Sequence, residues 1–120
     1  MLHIKSSGSV TIKSVQYNSL LAVLGTVSQR IKDTCPAVNK IILFGSFARG
    51  NYSPESDVDI LIFVEHSNES FLRRSDLFID FFREIPFDVN LLVYTEKEIN
   101  KMLGEGNSFI KNVLAEALEL

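Results

Sequence analysis

The chain has 120 residues, a formal net charge of −3 and a sequence pI near 5.3, and 46% of its residues are hydrophobic. This length suits a single domain with one sizeable core and leaves no room for a large second recognition domain. Because the chain lacks the basic footprint of a general nucleic-acid binder, we expect no direct nucleic-acid binding and favour a protein or a small molecule as partner.

The cysteine content and the hydropathy pattern indicate the cellular compartment in which the protein is expected. Cys35 is the one cysteine of the sequence, which excludes an internal disulfide and an all-cysteine metal site and fits a reducing compartment. No apolar run approaches the roughly 20 residues that a transmembrane helix requires. The first residues do not resemble a secretory signal. We therefore expect a cytoplasmic protein that does not contact a membrane.

The first part of the chain predicts an extension, a helix and a strand. Residues 1–13 alternate weakly and are rich in serine, which favours a short extra strand or a mobile arm. Apolar residues recur at helical spacing from Ser14 to about Asp33, and Ser14 can cap that helix. The apolar run 40–44 is typical of a strand that is covered on both faces.

The rest of the chain predicts a turn, two strands and three helices. In order, these are a helical turn at 46–49, a strand at 57–64, a helix at 71–85 and a strand at 87–94. Two helices follow. The first is opened by a capping box of Thr95 with Glu98, and the last is capped by Asn107 or Ser108. The order α-β-turn-β-α-β-α-α indicates one α/β domain over residues 14–120, preceded by an extension over residues 1–13.

Two of these helices carry apolar positions with different expected roles. The inward side of the 71–85 helix is expected to hold Phe71, Leu72, Phe78, Ile79, Phe82 and Ile85. The last helix is expected to carry Phe109, Ile110, Val113, Leu114, Ala117 and Leu118. Of the latter, Phe109, Val113 and Leu114 could serve an interface, so a homo-oligomer stays open.

The residues with the clearest chemical content begin with Gly45 and Ser46, which follow the buried strand and open a helical turn. Backbone N–H groups at such a turn attract anions. Gly45 has no Cβ, so a phosphate can approach its backbone closely, and Ser46 adds a hydroxyl group. We interpret the pair as a cradle for the β- and γ-phosphates of a nucleoside triphosphate. Arg49 either pairs with a phosphate or an acceptor carboxylate, or is a surface arginine that bonds a nearby loop.

Asp57 and Asp59 follow this pair after ten intervening residues. Alternate positions of a strand share one face, which puts both carboxylates about 6–7 Å apart along the chain. Like charges this close are costly without a cation, and Mg²⁺ prefers oxygen ligands and substrate phosphates. Asp88, near the start of the next strand, supplies a third carboxylate if the two strands pair. The set predicts a metal site for two ions, with Asp88 as a candidate general base.

Each motif is common by itself, since a Gly-Ser pair often follows a strand and Asp-x-Asp often marks a solvated strand end. Their combination, G-S-x10-D-x-D with the local form G-S-F-A-R-G, resembles the signature of the nucleotidyltransferase superfamily that includes DNA polymerase beta. The short chain resembles the minimal nucleotidyltransferase branch. The resemblance implies a small mixed sheet of three or four strands with helices packed on it.

The resemblance also implies which residues act and on what. It assigns ATP as the substrate, Gly45 and Ser46 to the triphosphate, and Asp57, Asp59 and Asp88 to two Mg²⁺ ions. Minimal nucleotidyltransferases of this size resemble the antitoxins of toxin–antitoxin pairs whose toxin is a HEPN-domain ribonuclease.

In that case AMP is transferred to a tyrosine near the active site of the toxin, where its bulk and negative charge exclude RNA phosphates. Two alternatives stay open. The chain could transfer a nucleotide to a small molecule such as an aminoglycoside, or it could be a non-catalytic module that inhibits a HEPN-type partner by contact alone.

Overall fold

The computed structural model describes residues 6–120, with side chains described from residue 16 onward. The helices are α1 (Ser6–Thr34), α2 (Gly45–Arg49), α3 (Phe71–Arg74), α4 (Glu96–Gly104) and α5 (Ser108–Glu116), and the strands are β1 (Val38–Phe44), β2 (Val58–Val64), β3 (Val89–Thr95) and β4 (Leu118–Glu119). Two short 3-10 turns, Ser75–Leu77 and Ile79–Phe82, follow α3. The α/β architecture expected from the sequence is confirmed. Within the described part of the chain, no helix has the length and apolarity needed to cross a membrane.

The four strands form one mixed sheet in the order β3-β2-β1-β4. Strand β1 runs antiparallel to both β2 and β4, whereas β2 and β3 are parallel. The register pairs Phe44 with Asp59 and Asp59 with Asn90. The end of β1 therefore lies beside the beginnings of β2 and β3, and the predicted site residues meet at this edge of the sheet.

Both faces of the sheet are covered, which explains why its central strands are almost continuously apolar. In β1, Ile41 and Leu43 belong to the core between the sheet and α1, whereas Ile42 packs on the opposite face in the core under α4 and α5. In β2, Ile60 faces the α1 side and Leu61 faces the α4–α5 side. Asp59 alternates with these residues and shares its face with Leu61, so it lies on the α5 side of the sheet.

Helix α1 begins earlier than the sequence predicted, at Ser6 rather than at Ser14. The strand or mobile arm predicted for residues 1–13 is therefore wrong over residues 6–13, and residues 1–5 lie outside the described residues. The side chains of Leu24 and Val27 are fully buried and anchor the helix in the core. Once a helix is anchored, each further residue adds one hydrogen bond, so it can extend through residues that carry no apolar pattern.

The single helix predicted for 71–85 is wrong, because regular α-helix ends at Arg74 and 3-10 turns follow. Phe78, Phe82 and Ile85 are buried as expected. In contrast, the expected core residues Leu72 and Ile79 are 83% and 41% exposed.

The buried guanidinium of Arg74 accounts for this orientation of the segment. It donates to the carbonyl oxygens of Glu69 and Val93 and to both carboxylate oxygens of Glu98. A buried cation must have such partners, so the segment turns Arg74 inward and Leu72 outward.

The C-terminal region confirms the predicted caps and adds a strand. The capping box of Thr95 with Glu98 is present, and Asn107 caps α5. Helix α5 ends at Glu116, so the helical assignment of Ala117 and Leu118 is wrong, and Leu118 pairs with Leu43 of β1.

The exposure of α5 also bears on the interface expected on this helix. Val113 is only 2% exposed and belongs to the core, which removes it from any such interface. Leu114 is half-buried, whereas Phe109 is 43% exposed.

We expect Glu98→Ala to lower the free energy of unfolding by about 1–3 kcal/mol at neutral pH, because the change leaves the buried Arg74 cation without its carboxylate. The hydrogen bonds from Arg74 hold the pKa of Glu98 below its ordinary value of 4.5. A depressed pKa contributes stability above the unfolded value that is lost as the pH falls through the folded one. Urea unfolding should thus show the difference between Glu98→Ala and wild type shrinking as the pH falls through the depressed pKa of Glu98, because the wild-type carboxylate is then protonated too.

The matched control is Glu55→Ala, which removes a carboxylate from an exposed loop position. It should leave the unfolding free energy within about 0.5 kcal/mol of wild type. Equal losses in Glu55→Ala and Glu98→Ala, or a loss in Glu98→Ala that does not depend on pH, would contradict this account.

Candidate active site

Asp57 and Asp59 lie on one face at the beginning of β2, as the sequence predicted, and the side-chain amide of Asn90 lies between them. Its nitrogen Nδ2 donates to Asp57 Oδ2 at 3.0 Å and to Asp59 Oδ1 at 3.1 Å. Asn90 reaches both because β3 runs parallel to β2 in a register that places it beside Asp59. The two carboxylates thus converge on one point at the edge of the sheet.

The charge arrangement around Asn90 suits a cation. The amide presents its partially positive N–H groups to two negative carboxylates, so the site already favours positive charge between them. Asp57 and Asn90 are exposed and Asp59 is half-buried, which leaves this point accessible from solvent. If the amide turns, its oxygen joins the carboxylates as a third oxygen of the type that Mg²⁺ prefers.

Asp88 lies immediately before the neighbouring strand β3, at the same edge of the sheet. The pairing of this strand with that of Asp59 is confirmed, and the Asp88 carbonyl oxygen accepts a hydrogen bond from the Val58 N–H at 2.8 Å. Its exposed side chain lines two open clefts together with Asp57. Within residues 16–120, however, no group of three or more His, Cys, Asp or Glu side chains is arranged to hold a metal ion. The metal-binding role of the three aspartates therefore stays a prediction.

Position 45 requires glycine for two reasons, its backbone conformation and the close approach of the Asp59 side chain. Its φ angle is 77°, in the left-handed region that favours glycine. A Cβ at this position would overlap the Asp59 carboxylate oxygen Oδ2. The glycine that the sequence predicted would admit a phosphate also makes room for Asp59, whose carboxylate occupies the space of the missing side chain.

Ser46 is held by its backbone and keeps its hydroxyl available. Its carbonyl oxygen accepts hydrogen bonds from the N–H groups of Gly50 and Asn51 at the end of α2. The side chain is half-buried, and no residue from 16 to 120 hydrogen-bonds the hydroxyl. The role predicted for Ser46, a contact with a triphosphate, is untested by this arrangement but compatible with it.

Glu116, at the end of α5, contacts two of the predicted site residues. Its oxygen Oε2 accepts hydrogen bonds from the Gly45 N–H at 2.8 Å and from Arg49 Nη1 at 2.7 Å. Of the two alternatives for Arg49, the structure shows a bond within the protein, although to the last helix and not to a nearby loop. Arg49 is 49% exposed and has further N–H donors, so a phosphate contact stays a prediction.

Sequence reasoning missed both Asn90 and Glu116. Asn90 could have been found, because it follows Asp88 by two residues on a strand and therefore shares its face. Glu116 is separated from Gly45 by 71 positions, and no local pattern connects the two.

An aromatic stack borders the turn on the α1 side of the sheet. The Tyr52 ring stacks on Phe47 with centroids 4.6 Å apart and on Tyr17 with centroids 5.4 Å apart. The Tyr17 hydroxyl donates to the Phe47 carbonyl oxygen, and burial, followed by the nearby Tyr52, raises the pKa of Tyr17 and keeps it protonated as a donor. Of the two alternatives for Tyr52, this packing favours shielding of the loop over stacking on a base.

Residues 24–118 match the protein family described as nucleotidyltransferase domain. The chain belongs to this family. The matched range contains Gly45, Ser46 and the three aspartates at the edge of the sheet, together with the second part of α1 and the strands β1 to β3.

Two relatives of this nucleotidyltransferase come from Methanocaldococcus jannaschii, and both are provisionally named protein adenylyltransferases. One is 39% identical over 79 residues, which cover 66% of this chain and 74% of the relative. The other is 51% identical over 39 residues, which cover 32% of this chain and 36% of the relative.

Solved structures share the fold of this nucleotidyltransferase. A provisionally assigned nucleotidyltransferase from Sulfolobus solfataricus aligns with a TM-score of 0.60 at 23% identity, covering 74% of this chain and 78% of the other. A mutant of the toxin–antitoxin MntA–HpeT aligns at 0.55 with 21% identity over 80% of this chain and 69% of the other. A toxin–antitoxin structure with AMP-PNP aligns at 0.53 with 19% identity over 86% of this chain and 70% of the other.

We expect Gly45→Ala to destabilise the fold by about 1–3 kcal/mol and to disturb the site, because alanine is strained at this φ and its Cβ displaces the Asp59 carboxylate. Thermal unfolding measures the first effect and nucleotide transfer measures the second. Gly104→Ala is the matched control, since nothing lies within 4 Å of the added Cβ. A Gly45→Ala protein that melts and acts like Gly104→Ala would refute this requirement.

Proposed function

We propose that this nucleotidyltransferase is a Mg²⁺-dependent protein adenylyltransferase that moves AMP from ATP to a tyrosine of a partner HEPN ribonuclease toxin and thereby neutralises it. The observation that carries the proposal is the convergence of Asp57 and Asp59 on one amide beside the Gly45–Ser46 turn. Such an arrangement gives a divalent cation and a triphosphate a common place to bind. Support for a protein acceptor comes from the names of the two M. jannaschii relatives.

The partner is the finer part of the proposal. Two solved structures with the same fold are toxin–antitoxin structures, and one of them contains AMP-PNP, which supports a toxin partner and an adenine nucleotide. Asp57 and Asp88 are exposed and line open clefts, so a tyrosine on the surface of another protein can reach them. The unpaired thiol of Cys35 fits the reducing cytoplasm in which such a pair would act.

The transfer has one nucleophile and one leaving group. The acceptor hydroxyl oxygen attacks the α-phosphorus of ATP, the new O–P bond forms, the bond to the β-phosphate oxygen breaks, and diphosphate leaves. Asp88 accepts the hydroxyl proton, for which its exposed position in the clefts beside Asp57 is suitable. Asp57 and Asp59 would hold the two Mg²⁺ ions, with Asp88 as a further ligand, and Ser46 would donate to the triphosphate. Bound Mg²⁺ would supply neutralisation of the phosphate charge and a lowered pKa of the attacking hydroxyl.

We expect Asp57→Ala and Asp59→Ala each to reduce transfer about 100-fold or more while the fold persists, because each change removes an oxygen ligand and no core packing. The assay incubates the protein with Mg²⁺, α-labelled ATP and the purified product of the neighbouring gene, which is tested as the toxin. Label on a toxin tyrosine from α-labelled but not γ-labelled ATP identifies AMP transfer. Asp76→Ala, an exposed aspartate of a 3-10 turn, is the control and should act like wild type.

The same assay separates the alternatives. If Asp57→Ala still inhibits the toxin as wild type does, the chain acts by contact alone and the catalytic proposal fails. If wild-type protein labels an aminoglycoside and leaves the toxin unlabelled, the acceptor is a small molecule.

We expect Asp88→Asn to slow transfer by about 100- to 10,000-fold, because an amide cannot accept the hydroxyl proton, and to change the affinity for ATP much less. Single-turnover transfer gives the rate, and titration with Mg-ATP gives the dissociation constant. Equal losses in rate and affinity would assign Asp88 to nucleotide binding alone. An unchanged rate would show that the proton acceptor lies elsewhere.

A further inference from the structure

We propose that Glu116 is a positioning residue that holds helix α2, and with it Ser46, in the geometry required for nucleotide transfer. This inference rests on the proposed function of the same site. One carboxylate oxygen of Glu116 binds the first and the last residue of α2, Gly45 through its N–H and Arg49 through Nη1. Ser46 lies between these two fixed points.

Helix α2 has few internal hydrogen bonds to stabilise it. It has five residues, and the first N–H groups of any helix lack partners within the helix. The residue at its N-cap position is Phe44, whose side chain has no hydrogen-bond acceptor and cannot perform the capping that Ser, Thr, Asn or Asp would provide. The Glu116 carboxylate accepts the Gly45 N–H instead and therefore replaces the missing cap from a distant part of the chain.

The contact with Arg49 strengthens the attachment of Glu116 to α2. A carboxylate that accepts from a guanidinium and an amide makes charge-assisted hydrogen bonds, which are stronger than neutral ones. The Glu116 side chain is only 22% exposed, which limits solvent screening of the contact. Arg49 also offsets the unfavourable position of a negative side chain at the C-terminus of α5.

Glu116 can position α2 because its own backbone is fixed on both sides. Before it, Ile110 and Val113 of α5 are buried in the core. After it, β4 pairs with Ile42 and Leu43 of β1, the strand that leads directly into Gly45. The sheet thus connects the carboxylate and the turn by a short and rigid route.

The alternative role of Glu116 is that of a latch, a side chain that occupies the turn until ATP displaces it. A carboxylate can imitate a phosphate, and in that case Glu116 would have to leave Gly45 and Arg49 when ATP binds. The structure favours positioning, because Glu116 accepts from the Gly45 N–H and from one nitrogen of Arg49, whereas no residue from 16 to 120 bonds the Ser46 hydroxyl. The two roles predict different affinities for ATP once the carboxylate is removed, since only a latch predicts tighter binding.

The test compares Glu116→Ala, Glu116→Gln and the control Glu119→Gln, which removes one charge from an exposed side chain of β4. Positioning predicts that kcat/KM falls about 10- to 100-fold in Glu116→Ala, as for residues that orient metal or substrate ligands. Glu116→Gln should lose less, because its amide oxygen still accepts from Gly45. Glu119→Gln should match wild type, and the affinity for Mg-ATP should weaken or stay unchanged in both Glu116 variants.

A second measurement needs no catalysis. In 15N–1H NMR spectra of the full chain without nucleotide, the Gly45 amide proton should move upfield in Glu116→Ala, move partway in Glu116→Gln and stay in place in Glu119→Gln. If wild-type protein labels no acceptor, the proposed function fails, and the NMR shift together with the Mg-ATP affinity still decides whether Glu116 holds the turn.

Two results would overturn the positioning role. One is wild-type kcat/KM, or an unmoved Gly45 amide, in Glu116→Ala. The other is tighter Mg-ATP binding or faster transfer in that variant, which would establish the latch. If Glu116→Ala does not fold, Glu116→Gln decides by the same criteria, and its wild-type behaviour in rate and spectrum would count against the proposal.

Discussion

Repulsion between the Asp57 and Asp59 carboxylates is the constraint around which this end of the sheet is arranged. Two negative charges on one face of a strand are costly unless positive charge or hydrogen-bond donors face them. In this structure Asn90 Nδ2 donates to both carboxylates. The left-handed Gly45 leaves the space that the Asp59 carboxylate fills. A divalent cation would relieve the repulsion further, so the features that hold the site together are also those that favour an ion.

The two cores of the domain hold this arrangement in place. Val58 and Ile60 flank Asp59 along the strand, are fully buried and face the α1 side, so the strand cannot rotate to separate the carboxylates without breaking that core. On the other face, α5 packs on the sheet and ends at Glu116, beside Gly45. Residues of the site therefore come from β2, β3, α2 and α5, while the rigidity comes from apolar residues behind them.

Local patterns predicted most of the fold and the shared face of Asp57 and Asp59, and contacts between distant residues account for several of the errors. The central strands, the Thr95 capping box and the shared face of Asp57 and Asp59 each follow from residues that are neighbours in sequence. The 71–85 segment was misread because its orientation depends on Arg74 reaching Glu98, 24 positions away. Strand β4 was missed because two residues carry no periodicity and pair only where β1 offers an edge. Glu116 was missed for the same reason, since its role exists only after α5 has packed.

The exposure of the acidic residues has a consequence for catalysis. Asp57 and Asp88 are open to solvent in the described structure, and water at such a site both screens the charges and competes with the acceptor hydroxyl for ATP. Under the proposed function, a protein acceptor that covers the clefts would exclude this water as it supplies its tyrosine. Transfer would then be efficient only with the partner in place, and free enzyme would consume little ATP. The exposed site would then give specificity for the acceptor, because the acceptor itself excludes the water that the reaction must avoid.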